Sequence, residues 1–278
     1  MLGGLLVFVG EGIQEVSSSL GKQLLVRREL SYAFFGTLNY FLVAVFFLVV
    51  AFVSGQSLVF NSAALVFFGA RFLVEIAQAE ISLRALAKAD RTTFGFIRVL
   101  TIPLLLVVDI LLGYRLAFLE LAGIALVVVA LSLYFLHERS PRSGVGLTLF
   151  TAVNAVVGIS LYKYNITHFH TVVAEQFYLC ALIATYFLLR TKKHERHAFV
   201  KLLLQPRVIP QVFAHAGASV LVSFAYLYGP ASLILAFTRA STVFWSFVSG
   251  ILYFNEPKSL RKGFCCAALI VGVFIMLR

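Results

Sequence analysis

From Phe34 to Val53 the chain carries no charged residue, a run of about 20 residues and enough for a helix to cross the hydrocarbon core of a bilayer. Apolar stretches of similar length recur from one end of the sequence to the other. We place them at about 2–21, 31–53, 60–86, 92–113, 117–137, 143–162, 170–190, 208–228, 231–254 and 260–277. In hydrocarbon every backbone N–H and C=O must be satisfied within its own segment, so each stretch is expected to be a helix. Hydrophobic residues make up 61% of the 278 and charged residues 13%, against about 25% charged in a soluble domain. Such a length accommodates about ten helices with short connections and no soluble domain. Turn residues separate the stretches: Ser54-Gly55, Pro141, Pro206 and Pro210, Gly229-Pro230 and Pro257. Pro103 is the exception, because it lies inside the fourth segment, whose counterpart in the ninth has Phe244. A kink is expected there, in one half of the chain only.

The chain also repeats itself. Phe96–Gly123 and Phe237–Cys265 each run an apolar helix with an arginine near its start, a short polar hinge and a second apolar helix. Arg98 and Arg239 fall in register, as do the hinges YRLAF and NEPKS. Lys22 and Lys163 close the first and sixth segments in similar contexts, and Asn39-Tyr40 in the second answers Gln176-Phe177-Tyr178 in the seventh. The expected fold is an all-α integral membrane protein with ten transmembrane helices, arranged as repeats over residues 1–140 and 141–278 of one integrated domain. Halves with an odd number of spans must lie inverted in the membrane, a frequent plan of secondary transporters.

The net charge of +11 would suggest nucleic acid in a soluble protein. Here most Lys and Arg lie in the connections after segments 1, 3, 5, 7 and 9, above all between Arg190 and Arg207. Basic loops mark the cytoplasmic side, so this bias places both termini outside. No nucleic-acid partner is expected. Cys180, Cys265 and Cys266 lie inside apolar stretches, which indicates neither a disulfide framework nor a zinc site. The N-terminus lacks a basic region and a cleavage site, so no cleavable signal peptide is expected.

Ala87-Lys88-Ala89-Asp90 through Ala130, and Tyr226-Leu227-Tyr228-Gly229-Pro230-Ala231-Ser232 through Val273, resemble the drug/metabolite transporter superfamily, specifically its EamA-type ten-helix members. These stretches look like that family's "KYxxAS" link, the following helix, the "LGERLS" hinge and the closing glycine- and alanine-rich helix. The family's hinge glutamate is matched by Glu256 in the second half, whereas the first half has Tyr114. The resemblance implies a solute carrier with a central cavity formed by both halves. It also implies cytoplasmic termini, opposite to the charge bias.

An ionised side chain at mid-bilayer costs about 2.5–3.5 kcal/mol on insertion scales, yet this chain has several. Glu11, Glu15, Ser18 and Lys22 share one face of segment 1; Arg71, Glu75, Gln78 and Ser82 share one face of segment 3. Segment 9 offers Arg239, Thr242, Ser246 and Ser249, and segment 4 offers Arg98, Thr101 and Asp109. Such stripes line a cavity or a helix interface rather than lipid. Arg71 and Glu75 are spaced to form an ion pair with each other, or half a binding site. Glu11 and Glu15, one turn apart in low dielectric, should not both stay ionised, so one is a candidate proton carrier and hydrogen-bonded packing is the alternative. Asn154 and Glu175 are further candidates for solute or proton binding, with Arg239. Arg98, Asp109, His215 and Glu256 are candidates for gating or structural polar roles. Arg98 is also near enough to its helix end to snorkel. Tyr40, Tyr178, Phe244 and Trp245 could hold a flat or cationic solute. His168-x-His170 lacks further ligands for a metal, and Asn165-Ile166-Thr167 fits a glycosylation sequon.

No hydrolase or nucleotide-binding motif occurs, so neither enzyme activity nor a cofactor is expected. The expected function is secondary transport of a small organic metabolite by alternating access, coupled to protons or by exchange. The midplane cavity is expected between segments 1, 3, 4, 6, 8 and 9. A flippase for a lipid-linked intermediate, or an intramembrane enzyme using Glu11 and Glu15, are the alternatives. The expected setting is the cytoplasmic membrane of a prokaryote, as a multi-pass monomer or homodimer whose partners are the lipid bilayer, a small solute and, as coupling ion, protons.

Overall fold

The computed structural model describes residues 2–27, 29–90, 94, 97–104, 118–137, 144–228, 231–255 and 260–276. Among them there is no strand. The long helices are α1 (Leu2–Val26), α2 (Tyr32–Ser54), α3 (Leu65–Lys88), α4 (Phe118–His137), α5 (Val145–His168) and α6 (Val172–Arg190). The short α7 (Lys193–His197) and α8 (Phe199–Leu203) follow, then α9 (Val208–Ala225), α10 (Ala231–Leu252) and α11 (Leu260–Met276). Among the described residues six helical stretches are long and apolar enough to cross a membrane. Where a helix is described, its boundaries agree with the hydropathy segments to within about six residues; the segment at 92–113 lies largely outside the described residues. The basic stretch after Arg190, expected as a plain connection, instead folds into α7 and α8.

The exposure pattern is inverted relative to a water-soluble protein. Phe52 and Val53 are 81% and 84% exposed, while Glu11, Glu15, Arg71, Glu175 and Arg239 are buried. The longest of these helices, α1, is not one of those six. Its mean is lowered by Glu11, Glu15, Ser17 and Ser19, all turned inward, while Leu2, Leu5, Phe8, Val9 and Val16 face out. An apolar outer face with a polar inner face suits lipid outside and a polar interior.

Local signals set the helix ends. Ser31 caps α2, its Oγ accepting from the Phe34 N–H at 3.1 Å, and Thr171 caps α6 by accepting from Ala174 at the same distance. Gly55 ends α2 at φ +64, the left-handed conformation that glycine adopts without a Cβ clash. Gly144 precedes α5 at φ +82, and a Cβ there would lie 2.8 Å from the Ala89 backbone nitrogen. The close approach joins the connection after α3 to the start of α5.

Helix pairing follows a pattern. The most extensive contacts are α1 with α9, α2 with α6, α4 with α11 and α3 with α5. The main apolar core lies between α1, α2, α6 and α9, around Phe34, Leu38, Phe47, Val173, Cys180 and Val212.

The helix holding Pro103 is irregular, and the reason is local. Proline has no N–H to donate to the carbonyl four residues back, at Val99. The Ile102 N–H bonds Val99 instead, at 2.9 Å, and Leu100 bonds Ile97 at 3.1 Å, both in the tighter three-residue pattern. That leaves the Arg98 carbonyl, which accepts from Thr101 Oγ1 at 2.6 Å. The same hydroxyl accepts from Arg239 Nε at 2.7 Å. At the matching place α10 runs unbroken through Phe244.

Candidate functional site: a polar cavity sealed at one end

A cavity of about 410 Å³ lies inside the bundle, within the usual range of small-molecule sites. Its wall is built from α1 (Glu11, Gln14, Ser17, Ser18), α2 (Phe35, Asn39, Tyr40, Phe47), α3 (Arg71, Glu75, Gln78, Ser82), Phe94 with Arg98, α6 (Gln176, Cys180) and α9 (Gln211, His215, Ser219, Ser223). In sequence terms these are segments 1, 2, 3, 4, 7 and 8. Among the described residues no side chain of segments 6 and 9, also expected to contribute, lines this cavity; Asn154 of α5 and Thr242 of α10 instead bond the wall residues Gln78 and Glu11.

The amides of the wall form short relays. Gln211 Nε2 donates to Ser17 Oγ at 3.1 Å and to Asn39 Oδ1 at 2.9 Å, joining α9, α1 and α2. His215 Nδ1 lies 3.2 Å from Gln14 Oε1. Asn154 Nδ2 donates from α5 to Gln78 Oε1 at 3.0 Å and to the Val74 carbonyl at 2.9 Å. Gln176 Nε2 donates to Ser223 Oγ at 3.3 Å.

One end of the cavity is closed by a buried charge cluster. Glu175, in the first turn of α6, is 0% exposed. It accepts from Arg71 Nη1 at 2.5 Å, from Asn165 Nδ2 at 2.8 Å and from His170 at 2.7 Å. The His170 tautomer follows from its other side. The Asn61 backbone N–H donates to Nε2 at 3.1 Å, so the ring proton sits on Nδ1 and is donated to the carboxylate. Arg71 also lies 4.4 Å over the Tyr162 ring and donates weakly to Gln176 Oε1 at 3.4 Å. The cluster is thus one cation, one anion and a neutral imidazole, tying α3, α5, α6 and the stretch after α2 together. A buried charge is tolerable when so partnered.

This geometry corrects the expected Arg71–Glu75 pairing, because Arg71 turns to Glu175 on another helix. It also rules out the sequon: Asn165 is fully buried and committed to Glu175, so no glycan can attach in this fold. His168 is exposed and bonds its own helix at the Tyr164 carbonyl. Among the described residues no group of three His, Cys, Asp or Glu side chains could hold a metal.

The other candidates are placed as follows. Glu11 lines the cavity and accepts from Thr242 Oγ1 at 2.8 Å. Glu15 faces α10 instead, accepting from Ser19 and Ser246 at 3.2 Å each and from Ser249. Arg98 lines the cavity rather than snorkelling, and lies 5.5 Å from the Phe94 ring. Arg239 is held by Thr101, away from the wall. Asp109 and Glu256 lie outside the described residues. Of the aromatic candidates, Tyr40 reaches the cavity. Tyr178 donates to the Leu58 carbonyl at 2.5 Å, and Phe244 and Trp245 pack against Phe8. Glu75 is on the cavity wall, with no hydrogen bond or ion pair among the described residues.

Sequence reasoning missed Asn39, Gln211, His170 and Asn165 as functional positions. Lone amides within apolar helices were the available signal for the first two.

No family model and no curated relative matches the chain. A solved structure described only as the "Crystal structure of protein" superposes with a TM-score of 0.61 at 17% identity, over 99% of this chain and 98% of that one. At that identity the likeness shows a shared fold alone. Fold and wall together define a class: an all-α, multi-pass membrane protein with a polar interior.

Proposed function

We propose that this protein is a secondary transporter of the drug/metabolite type, moving a small organic solute by alternating access through ten spans in two inverted five-helix repeats. The observation that carries the reading is a polar cavity among apolar-coated helices, sealed at one end by the Arg71–Glu175–His170 cluster. The seal lies where α2 joins α3 and α5 joins α6. The wall runs the other way, through Ser82, Leu86, Phe35 and Phe94, toward the connections rich in Lys and Arg. With those connections cytoplasmic, this is an inward-facing arrangement in the cell membrane.

Helix pairing supports the repeat. Exchanging segment 1 with 6, 2 with 7, 3 with 8 and 5 with 10 turns the α1–α9 contact into the α3–α5 contact. The same exchange maps α2–α6 and α4–α11 onto themselves, as a two-fold axis would. The cavity also argues against an intramembrane enzyme built on Glu11 and Glu15, because Glu15 is turned away from it.

The test is counterflow into sealed proteoliposomes preloaded with a pooled metabolite extract. Labelled solute accumulating against unlabelled pool, and lost on fixing the Asn61–His170 region to α3 by an engineered disulfide, supports alternating access. Movement of a labelled lipid between leaflets without solute exchange would replace the reading with the flippase.

A further inference from the structure

We propose that the solute carries a protonated amino group and that Glu75 is its anchor. This rests on the transport reading above.

The charged side chains on the described cavity wall are Glu11, Arg71, Glu75 and Arg98. Of the two wall cations, Arg71 is neutralised from behind by Glu175 at 2.5 Å, and Arg98 stands within electrostatic range of Glu11. Glu11 has Thr242 as a donor and stands within electrostatic range of both Arg98 and Arg239. Glu75 has neither. Among the described residues the one charge acting on it is Arg71, already committed elsewhere. Glu75 is therefore an acceptor left over on the wall of the cavity.

The surroundings suit an ammonium. Tyr40 and Cys180 lie within electrostatic range of Glu75, and Tyr40 is a wall residue whose ring stacks on Phe187 at 6.0 Å. A carboxylate beside an aromatic ring attracts a cation by charge and by the ring's quadrupole together. On α9, Gln211 Oε1 is buried and has no hydrogen-bond partner among the described residues, while both its amide hydrogens are directed at Ser17 and Asn39. Space has been kept for the carboxylate itself: at Gly158 of α5 a Cβ would lie 3.1 Å from Glu75 Oε1.

The probes are small primary amines (alkyl, arylalkyl and amino-alcohol), each paired with the alcohol and the carboxylate of the same skeleton. Binding is read by thermal shift of the purified full chain in detergent, and transport by counterflow in proteoliposomes. At least one amine should stabilise the protein and exchange, while its alcohol and carboxylate partners do not. Glu75→Gln should weaken amine binding roughly tenfold or more, the loss expected for a charged hydrogen bond. Glu75→Asp should weaken it less, and Glu80→Gln, at the basic end of α3, should leave it unchanged. Gly158→Ala keeps the charge but crowds the carboxylate, so it should lower amine affinity without altering the preference for amines. The assignment is overturned if amine binding survives in a folded Glu75→Gln protein. It is also overturned, with transport intact, if only neutral or anionic solutes exchange. Absence of exchange by any solute, amine or not, brings down the transport reading instead.

Discussion

Glu175 and Glu75 are both carboxylates inside the bundle, and their surroundings are opposite. Glu175 is 0% exposed and receives hydrogen bonds from an arginine, an asparagine and a histidine. Glu75 faces the cavity and receives none among the described residues. The first is a fastener: its charge is cancelled where four segments meet. The second is an unfilled valence. In a bilayer interior, where an isolated charge is costly, the partnered acid holds these segments together, and the one without a partner among the described residues is where we propose that a solute binds.

The largest expected effect tests the fastener. Glu175→Gln removes the anion bonded to Arg71 and leaves that cation buried without an ion-pair partner, Glu75 acting on it only at longer range, which should cost about 3–5 kcal/mol, read as a lowered unfolding midpoint in detergent. Adding Arg71→Met should restore part of that loss, because the orphaned cation is gone, while the glutamine carbonyl keeps only one of the two bonds now made by Asn165 to Oε1 and by His170 to Oε2. If the double variant is no more stable than the single, the Arg71–Glu175 charge balance is not what holds this end.

Packing of α2 on α6 toward the basic end gives the next effect. A Cβ at Gly36 would meet the Phe187 ring at 2.8 Å, with ring atoms on both flanks, whereas at Gly217 nothing lies within 4 Å. Gly36→Ala should cost about 1–3 kcal/mol by overpacking the α2–α6 contact. Gly217→Ala should be neutral or slightly stabilising, since alanine is the better helix former by about 1 kcal/mol. Equal behaviour of the two would break the claim that α2 and α6 are tightly apposed.

Much of this contrast was readable before any coordinates, and the part that was not has a physical reason. Hydrophobic length located the helices because the bilayer demands self-satisfied backbone. Helical spacing put Glu11 and Arg71 on inward faces for the same reason. Spacing along one helix, however, says nothing about the neighbour across the gap. Arg71 and Glu75 are one turn apart, yet the partner of Arg71 is 104 residues away. His170 looked like a weak metal motif and Asn165 like a sequon, because a motif cannot report burial. The α7–α8 turn was hidden by its charges, which read as a solvated loop. Pro103 was legible as an interruption of its helix, but the meeting of Thr101 with Arg239 nearby was not.

A smaller effect lies at the opposite, basic end. Ser31 caps α2 and also binds Glu195, through its backbone N–H at 3.1 Å and its hydroxyl at 2.7 Å. Ser31→Ala removes the cap and the hydroxyl bond but keeps the backbone one, for a cost of about 1 kcal/mol. Compared with Glu175→Gln, this should leave the cooperativity of unfolding unchanged. A loss as large as that of Glu175→Gln would mean that both ends are clamped equally and that the asymmetry drawn above is wrong.

The smallest expected change sharpens the comparison most. Glu75→Gln is the same chemical edit as Glu175→Gln, on a helix face that is also turned inward. Because no partner among the described residues is lost, the unfolding midpoint should move by no more than about 0.5 kcal/mol equivalent. The shift could go upward, since an uncompensated carboxylate in low dielectric is itself unfavourable. Two carboxylates, one substitution and two outcomes would separate the charge that builds the protein from the charge that serves it. A loss of several kcal/mol at Glu75 would instead mean that its carboxylate is engaged within the fold, and the cavity would then offer no free anion to a solute.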